Sequence, residues 1–188
     1  MLPVKGVYTL ILFLSKETRL KVGKLGTQRF PRGYYTYTGS ALGVGSSSLT
    51  HRILRHLRRK KRKFWHVDFL LGHENVRLTR LVAAQINRKV ECNINHHIKT
   101  KEKAKIPVPH FGASDCKKNC RSHLLFYPNI MEEQILVKKI VKSYKDLDLT
   151  PYVAASKHMC FASDGREQTM NSVLQFSCLL YTSDAADE

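Results

Sequence analysis

Arg52, Arg55, His56 and Arg59 recur at i, i+3, i+4 and i+7, which puts them on one face if the segment is helical. Guanidinium and imidazole groups stacked beside a helix start make a surface suited to a phosphate. Just upstream, Tyr37-Thr38-Gly39 closes a tyrosine-rich run, and a second phenol, Tyr8, sits in Gly6-Val7-Tyr8. Adjacent strands could bring the two phenols together beside the basic helix. A tyrosine in a strand is ordinarily packing. The ordered combination is more specific: two Tyr-Gly strand ends, a loop with Gly43 and Gly45, then Leu49-x-x-Arg52-x-x-x-His56. Elsewhere, Cys116-x-x-x-Cys120-x-x-His123 offers soft ligands at close spacing. Cys92 or a histidine of His96-His97 could complete the four that a structural Zn²⁺ needs. Reduced thiols around the Gly112-Ala113 turn are the competing reading.

The elements that must position these groups follow from patterning. Gly6 to Leu14 is a nearly continuous apolar run and predicts a buried central strand. Leu20 to Leu25 alternates as a second strand would, and Tyr34 to Gly39 predicts a third after the break at Phe30-Pro31. A helix should begin near Ser47 or Ser48, with Leu49, Ile53, Leu54 and Leu57 as its core stripe. Phe64 to Leu71 reads as a short helix, Val76 to Ala84 as a strand and Lys89 to Ile98 as a helix with Glu91 near its start. Phe111 to Tyr127 reads as compact and irregular, and Met131 to Tyr144 as an amphipathic helix. The order is that of an α+β fold with a mainly antiparallel sheet flanked by helices. One domain is expected over residues 1–128 and a helical extension over 129–150. Beyond Pro151 the patterning collapses. The final SCLLYTSDAADE (177–188) resembles a translated sequencing-adaptor read and is set aside, which makes 151–188 an unreliable tail expected to be dispensable.

Composition narrows the partners. The 188 residues carry 32 Lys+Arg against 15 Asp+Glu, a formal net charge of +17. All but two of the bases precede Thr150, whereas five of the acids follow it. A concentrated excess of this size favours nucleic acid, DNA first and RNA as the alternative. Arg55, Arg58, Arg59, Lys60, Lys61, Arg62 and Lys63 are the expected contacts. No apolar run reaches the ~20 residues of a membrane span, so no membrane partner is expected. Five cysteines in a lysine-rich chain read as reduced thiols or metal ligands in a cytoplasmic setting.

With these motifs in hand, the sequence resembles the GIY-YIG nucleases. Gly6-Val7-Tyr8 and Tyr37-Thr38-Gly39 stand for the two name motifs, and Leu49-Thr50-His51-Arg52 for the helix arginine signature. It is most similar to a small, uncharacterised GIY-YIG-like family of archaea and some bacteria, through KLGTQRFPRGYYTYTGSALG, RILRHLRR, WHVDFLL, VEC and FGASDC…CRSHL. The resemblance runs over roughly residues 5–127. It implies phosphodiester hydrolysis assisted by one Mg²⁺ or Mn²⁺ held by Glu91. Tyr8 would be the general base or water-positioning group, Arg52 the stabiliser of transition-state charge, Tyr37 an orienting group and His56 a second polar group. His66 and Asp68 would support the site from behind. Fusions of family members to endonuclease III-like domains imply a repair context and association with a repair glycosylase or endonuclease. One departure is the late asparagine common in GIY-YIG nucleases, whose place is taken by the Phe111 to His123 segment. The competing functional reading is a non-catalytic DNA- or RNA-binding module on the same fold. An adaptor for acidic proteins or anionic lipids is a third.

Overall fold

A computed structural model describes residues 4–155. At its centre is β1 (Gly6–Leu14), whose side chains are almost all buried. It pairs antiparallel with β4 (Gly33–Ala41) on one side and β5 (Val76–Gln85) on the other. Two shorter strands, β6 (Leu124–Tyr127) and β7 (Pro151–Ala155), extend the sheet to the order β6-β4-β1-β5-β7. β2 (Thr18–Lys21) and β3 (Thr27–Phe30) form a separate two-stranded hairpin. The predicted strand at Leu20 to Leu25 is therefore corrected: it starts earlier and ends at Lys21, and Gly23–Leu25 is a 3₁₀ turn. Gly23 and Gly26 there take positive φ, which breaks the extended run.

Helices cover both faces, which is why β1 reads as a continuous apolar run instead of an alternating one. Tyr8, Leu10 and Leu12 share a core with Leu49 and Ile53 of α1 (Leu49–Leu57) and with Val67, Leu70 and Leu71 of α2 (His66–Leu71). Val7 and Ile11 face the other way, onto Ile94 and Ile98 of α3 (Glu91–Lys101) and Leu136, Ile140 and Tyr144 of α4 (Glu133–Lys145). The segment read as an extension is thus packed on the sheet. Tyr144 Oη lies 2.9 Å from Thr9 Oγ1 of the central strand, and Thr9 in turn is 3.1 Å from Thr38 Oγ1. The start of the region read as an unpatterned tail is also corrected. Pro151–Ala155 pairs with Arg80–Ala84 as an edge strand. The sequence signal was weak because an edge strand of five half-buried residues needs no strict alternation. Residues 156–188, including the adaptor-like string at 177–188, lie outside the described residues. Among the described residues no helix is long and apolar enough to cross a membrane.

Candidate functional site

The β1–β4 register places Tyr8 opposite Gly39 and Leu10 opposite Tyr37, so the two phenols are diagonal neighbours on one sheet face. Gly39 makes this possible: a Cβ there would stand 2.7 Å from the Tyr8 hydroxyl. Above that face α1 begins at Ser48, whose side chain accepts from His51 N–H at 3.4 Å as an N-cap. Tyr8, Tyr37, Arg52 and Glu91 all line one cavity of about 530 Å³. Its walls also include Phe64, Trp65 and His66 on the α2 side, and Lys89 before α3. Gly112, Ser114, Asp115 and His123 come from the segment before β6. Four groups distant in sequence, on two strands and two helices, therefore meet.

The expected helix faces need correction. His56 does not stand with Arg52 on an exposed face; it is 2% exposed and turned into the core. Its Nε2 is hydrogen-bonded to Tyr8 Oη at 2.8 Å, and its ring packs against Tyr8, Tyr37 and Trp65. The spacing Leu49, Ile53, His56 is itself a core stripe, so His56 is buried while Leu54 and Leu57 are only half-buried. Burial, with Lys61 nearby, lowers the His56 pKa to about 3, so the ring is neutral. Arg59 lies beyond the helix, which ends at Leu57.

Burial also sets the phenols. Tyr8 is held well above the usual tyrosine pKa, first by burial and then by Tyr37, although the neighbouring Arg52 guanidinium pulls the other way. Tyr37 is pushed up to about 12 by burial, again opposed by Arg52. Both are neutral phenols near pH 7. Arg52 is braced by Trp65, with its guanidinium carbon 4.7 Å from the ring centre. Glu91 sits in the first turn of α3, and its Oε2 is buried with no hydrogen-bond partner among the described residues. An ionised carboxylate oxygen in that position is costly unless something outside the chain satisfies it.

Two of the seven expected nucleic-acid contacts are spent inside the fold. Arg55 makes two hydrogen bonds of 2.9 Å to the Asp68 carboxylate and stacks 4.4 Å over Trp65. Lys61 Nζ donates to the carbonyls of Arg55 and His56 at 3.0 and 2.9 Å and lies 3.7 Å from Asp68. There it closes the end of α1, where carbonyls lack partners, and burial lowers its pKa to about 8. Arg58, Arg59, Lys60, Arg62 and Lys63 remain exposed.

Asp68 is fully buried and also accepts from the N–H groups of Phe64 and Trp65 at 3.0 and 2.9 Å. Burial opposes its charge, but these N–H bonds and Arg55 outweigh it and hold the pKa below the usual carboxylate range. Asp68 thus ties α1 to α2 and sets the loop between them. His66 is in the cavity wall, and its Nδ1 accepts from Gly112 N–H at 3.0 Å.

Adjoining the cavity through His123, Cys92, Cys116, Cys120 and His123 form a cluster that could hold a metal ion, with all four ligand atoms within 4.8 Å of one another. Cys92 is the fourth member; His96 is exposed, and His97 is 3.2 Å from Asp146. Phe64, Lys89, Ser114 and Asp115 were not singled out from sequence as wall residues. Lys89 and Asp115 had one available signal, being two residues before Glu91 and one before Cys116.

Fold and site define a class: a mixed α+β domain with a phenol–guanidinium–carboxylate cavity next to a Cys₃His cluster. The family model described as "Domain of unknown function DUF123" matches residues 7–146, and the chain belongs to this family. No curated protein and no solved structure matches it.

Proposed function

We propose that this chain is a divalent-metal-dependent endonuclease of the GIY-YIG type that hydrolyses DNA phosphodiester bonds, in repair or on structured DNA. One observation carries the reading: Glu91, whose buried Oε2 has no partner among the described residues, lines the cavity that Tyr8, Tyr37 and Arg52 share. Such a hard oxygen suits Mg²⁺ or Mn²⁺, with other positions left to water and substrate. When bound, the cation supplies charge stabilisation at the phosphate and activation of water. Arg52, held rigid by Trp65, faces the negative charge that builds on the phosphate oxygens. Tyr8, as a neutral phenol, orients the attacking water, which favours the positioning role over that of general base. Tyr37 orients the phosphate, and His56 holds Tyr8 from behind without reaching the substrate. The exposed bases of the Arg58 to Lys63 run draw in the DNA backbone. The resemblance to GIY-YIG nucleases supports the same roles.

The test is cleavage of nicked, flapped, branched and plain duplex DNA by purified protein with Mg²⁺ or Mn²⁺. Tyr8→Phe, Arg52→Lys and Glu91→Gln should each lower the rate by roughly 10²–10³-fold with much smaller effects on DNA binding. Near-normal rates in all three would place the activity elsewhere or in a contaminant. Binding with no metal-dependent turnover on any substrate would leave a binding module.

A further inference from the structure

The Cys₃His cluster joins the very start of α3 to the segment before β6, ahead of the two bonds that tie them further along the helix, Asn95 Nδ2 to Ser122 O at 2.8 Å and Lys118 Nζ to Asn93 Oδ1 at 3.1 Å. Cys92 is the second residue of α3, directly after Glu91. Cys116, Cys120 and His123 come from the segment between α3 and β6, which has no regular secondary structure from 109 to 123. Cys92 Sγ lies 3.4 Å from Cys116 Sγ and 3.7 Å from His123 Nε2. With Zn–S bonds of ~2.3 Å, a tetrahedral site needs ligand atoms about 3.8 Å apart. The four ligand atoms therefore need shifts of about 1 Å or less to enclose one ion. Three thiols and an imidazole select a soft, tetrahedral ion over Mg²⁺ or Ca²⁺.

The same segment builds a wall of the cavity. It supplies Gly112, Ser114, Asp115 and His123. Gly112 must be glycine, since its φ is +69° and a Cβ would stand 2.6 Å from the Tyr37 ring. His66 holds its N–H from the opposite side.

We infer that Cys92, Cys116, Cys120 and His123 bind one Zn²⁺, and that this ion locks the start of α3 to the 109–123 segment so that Glu91 is a positioned ligand for the cavity cation. The zinc half stands by itself; the positioning half rests on the nuclease reading. Without the cross-link the segment keeps its buried Phe111, the His66 bond to Gly112 and the bonds of Asn93 and Asn95 to Lys118 and Ser122, so its ties to α3 by hydrogen bonds begin at Asn93, past Glu91. Glu91 would then share the looseness of a helix's first turn.

The experiment uses the full chain purified without added metal or chelator. Elemental analysis should find one zinc per chain, and cobalt substitution should give the spectrum of a tetrahedral thiolate site. Cys120→Ser should lower zinc content. Mn²⁺ binding, followed by electron paramagnetic resonance, should weaken by roughly tenfold or more when zinc is removed. Circular dichroism and the salt slope of DNA binding should stay unchanged. If Cys120→Ser does not fold, chelation of the wild-type protein gives the same comparison. A zinc-free preparation that also fails to take cobalt, or one with a Cys92–Cys116 disulfide, would overturn the zinc site. Unchanged Mn²⁺ affinity after zinc removal would overturn the positioning role. A zinc-loaded protein whose Mn²⁺ binding is indifferent to Glu91→Gln would sink the cavity-cation reading and the positioning role together, and leave the zinc site supported.

Discussion

Replacing Asp68 with asparagine tests whether Arg55 and Lys61 work inside the fold or at the DNA. The substitution keeps an oxygen for the Phe64 and Trp65 N–H groups but removes the charge that faces both cations. Breaking a buried ion pair from one side costs about 3–5 kcal/mol. The lower end applies here, because Arg55 is 27% exposed and Lys61 keeps two carbonyl acceptors. A loss of about 3 kcal/mol corresponds to about 6–12 °C in Tm for a domain of this size.

Chemical denaturation at pH 7 gives the free energy, and a cycle with Arg55→Met gives the coupling. The effect should fade with acid. The Asp68 pKa is lowered on folding, so its stabilisation is present above the unfolded carboxylate pKa and is lost as pH falls through the folded one. A loss under about 1 kcal/mol at pH 7, or no coupling in the cycle, would refute the argument. It would return Arg55 and Lys61 to the candidate DNA contacts.

Other outcomes follow from the same structure. Neutralising Arg58, Lys60 and Arg62 together should flatten the salt dependence of DNA binding by roughly one unit of slope per lost phosphate contact. Lys61→Ala should instead show as a lower Tm with little change in slope. Ending the chain at Leu149 removes the strand that pairs with Arg80–Ala84. It should cost on the order of 2 kcal/mol from the half-buried Tyr152 and Val153, measurable by denaturation. His56 is neutral when folded, with its pKa depressed from 6.5 to about 3. Stability should therefore be full above about pH 6.5 and fall by up to about 4–5 kcal/mol toward pH 3. A His56→Gln variant should show a flatter profile over that window. If the wild-type and variant profiles are parallel, His56 is not buried neutral.

Much of this architecture is legible in local chemistry. The run from Val7 to Leu14, apolar but for Thr9, requires a strand covered on both faces. Ser48 announces the start of α1. Strand pairing and helix spacing suggest Tyr8 and Tyr37 beside the Arg52 helix, whereas Glu91 joins them in the sequence reading only through the resemblance to GIY-YIG nucleases. What the sequence could not decide was how each cation is used. Arg55, Lys61 and Arg62 look alike in a basic run, yet only a buried Asp68 thirteen residues after Arg55 turns the first two inward. His56 is ambiguous for the same reason: at helical spacing it suits either a polar face or a core stripe, and the packing of Trp65 and Tyr8 chose the core. Cys92 and the Cys116–His123 group are separated by a helix and a connector, so their convergence depends on the chain's path back to the sheet edge at β6. Periodicity reports which face a residue shares with its neighbours along the chain. Which distant groups share its dielectric and its hydrogen bonds is decided only when the tertiary structure closes over them.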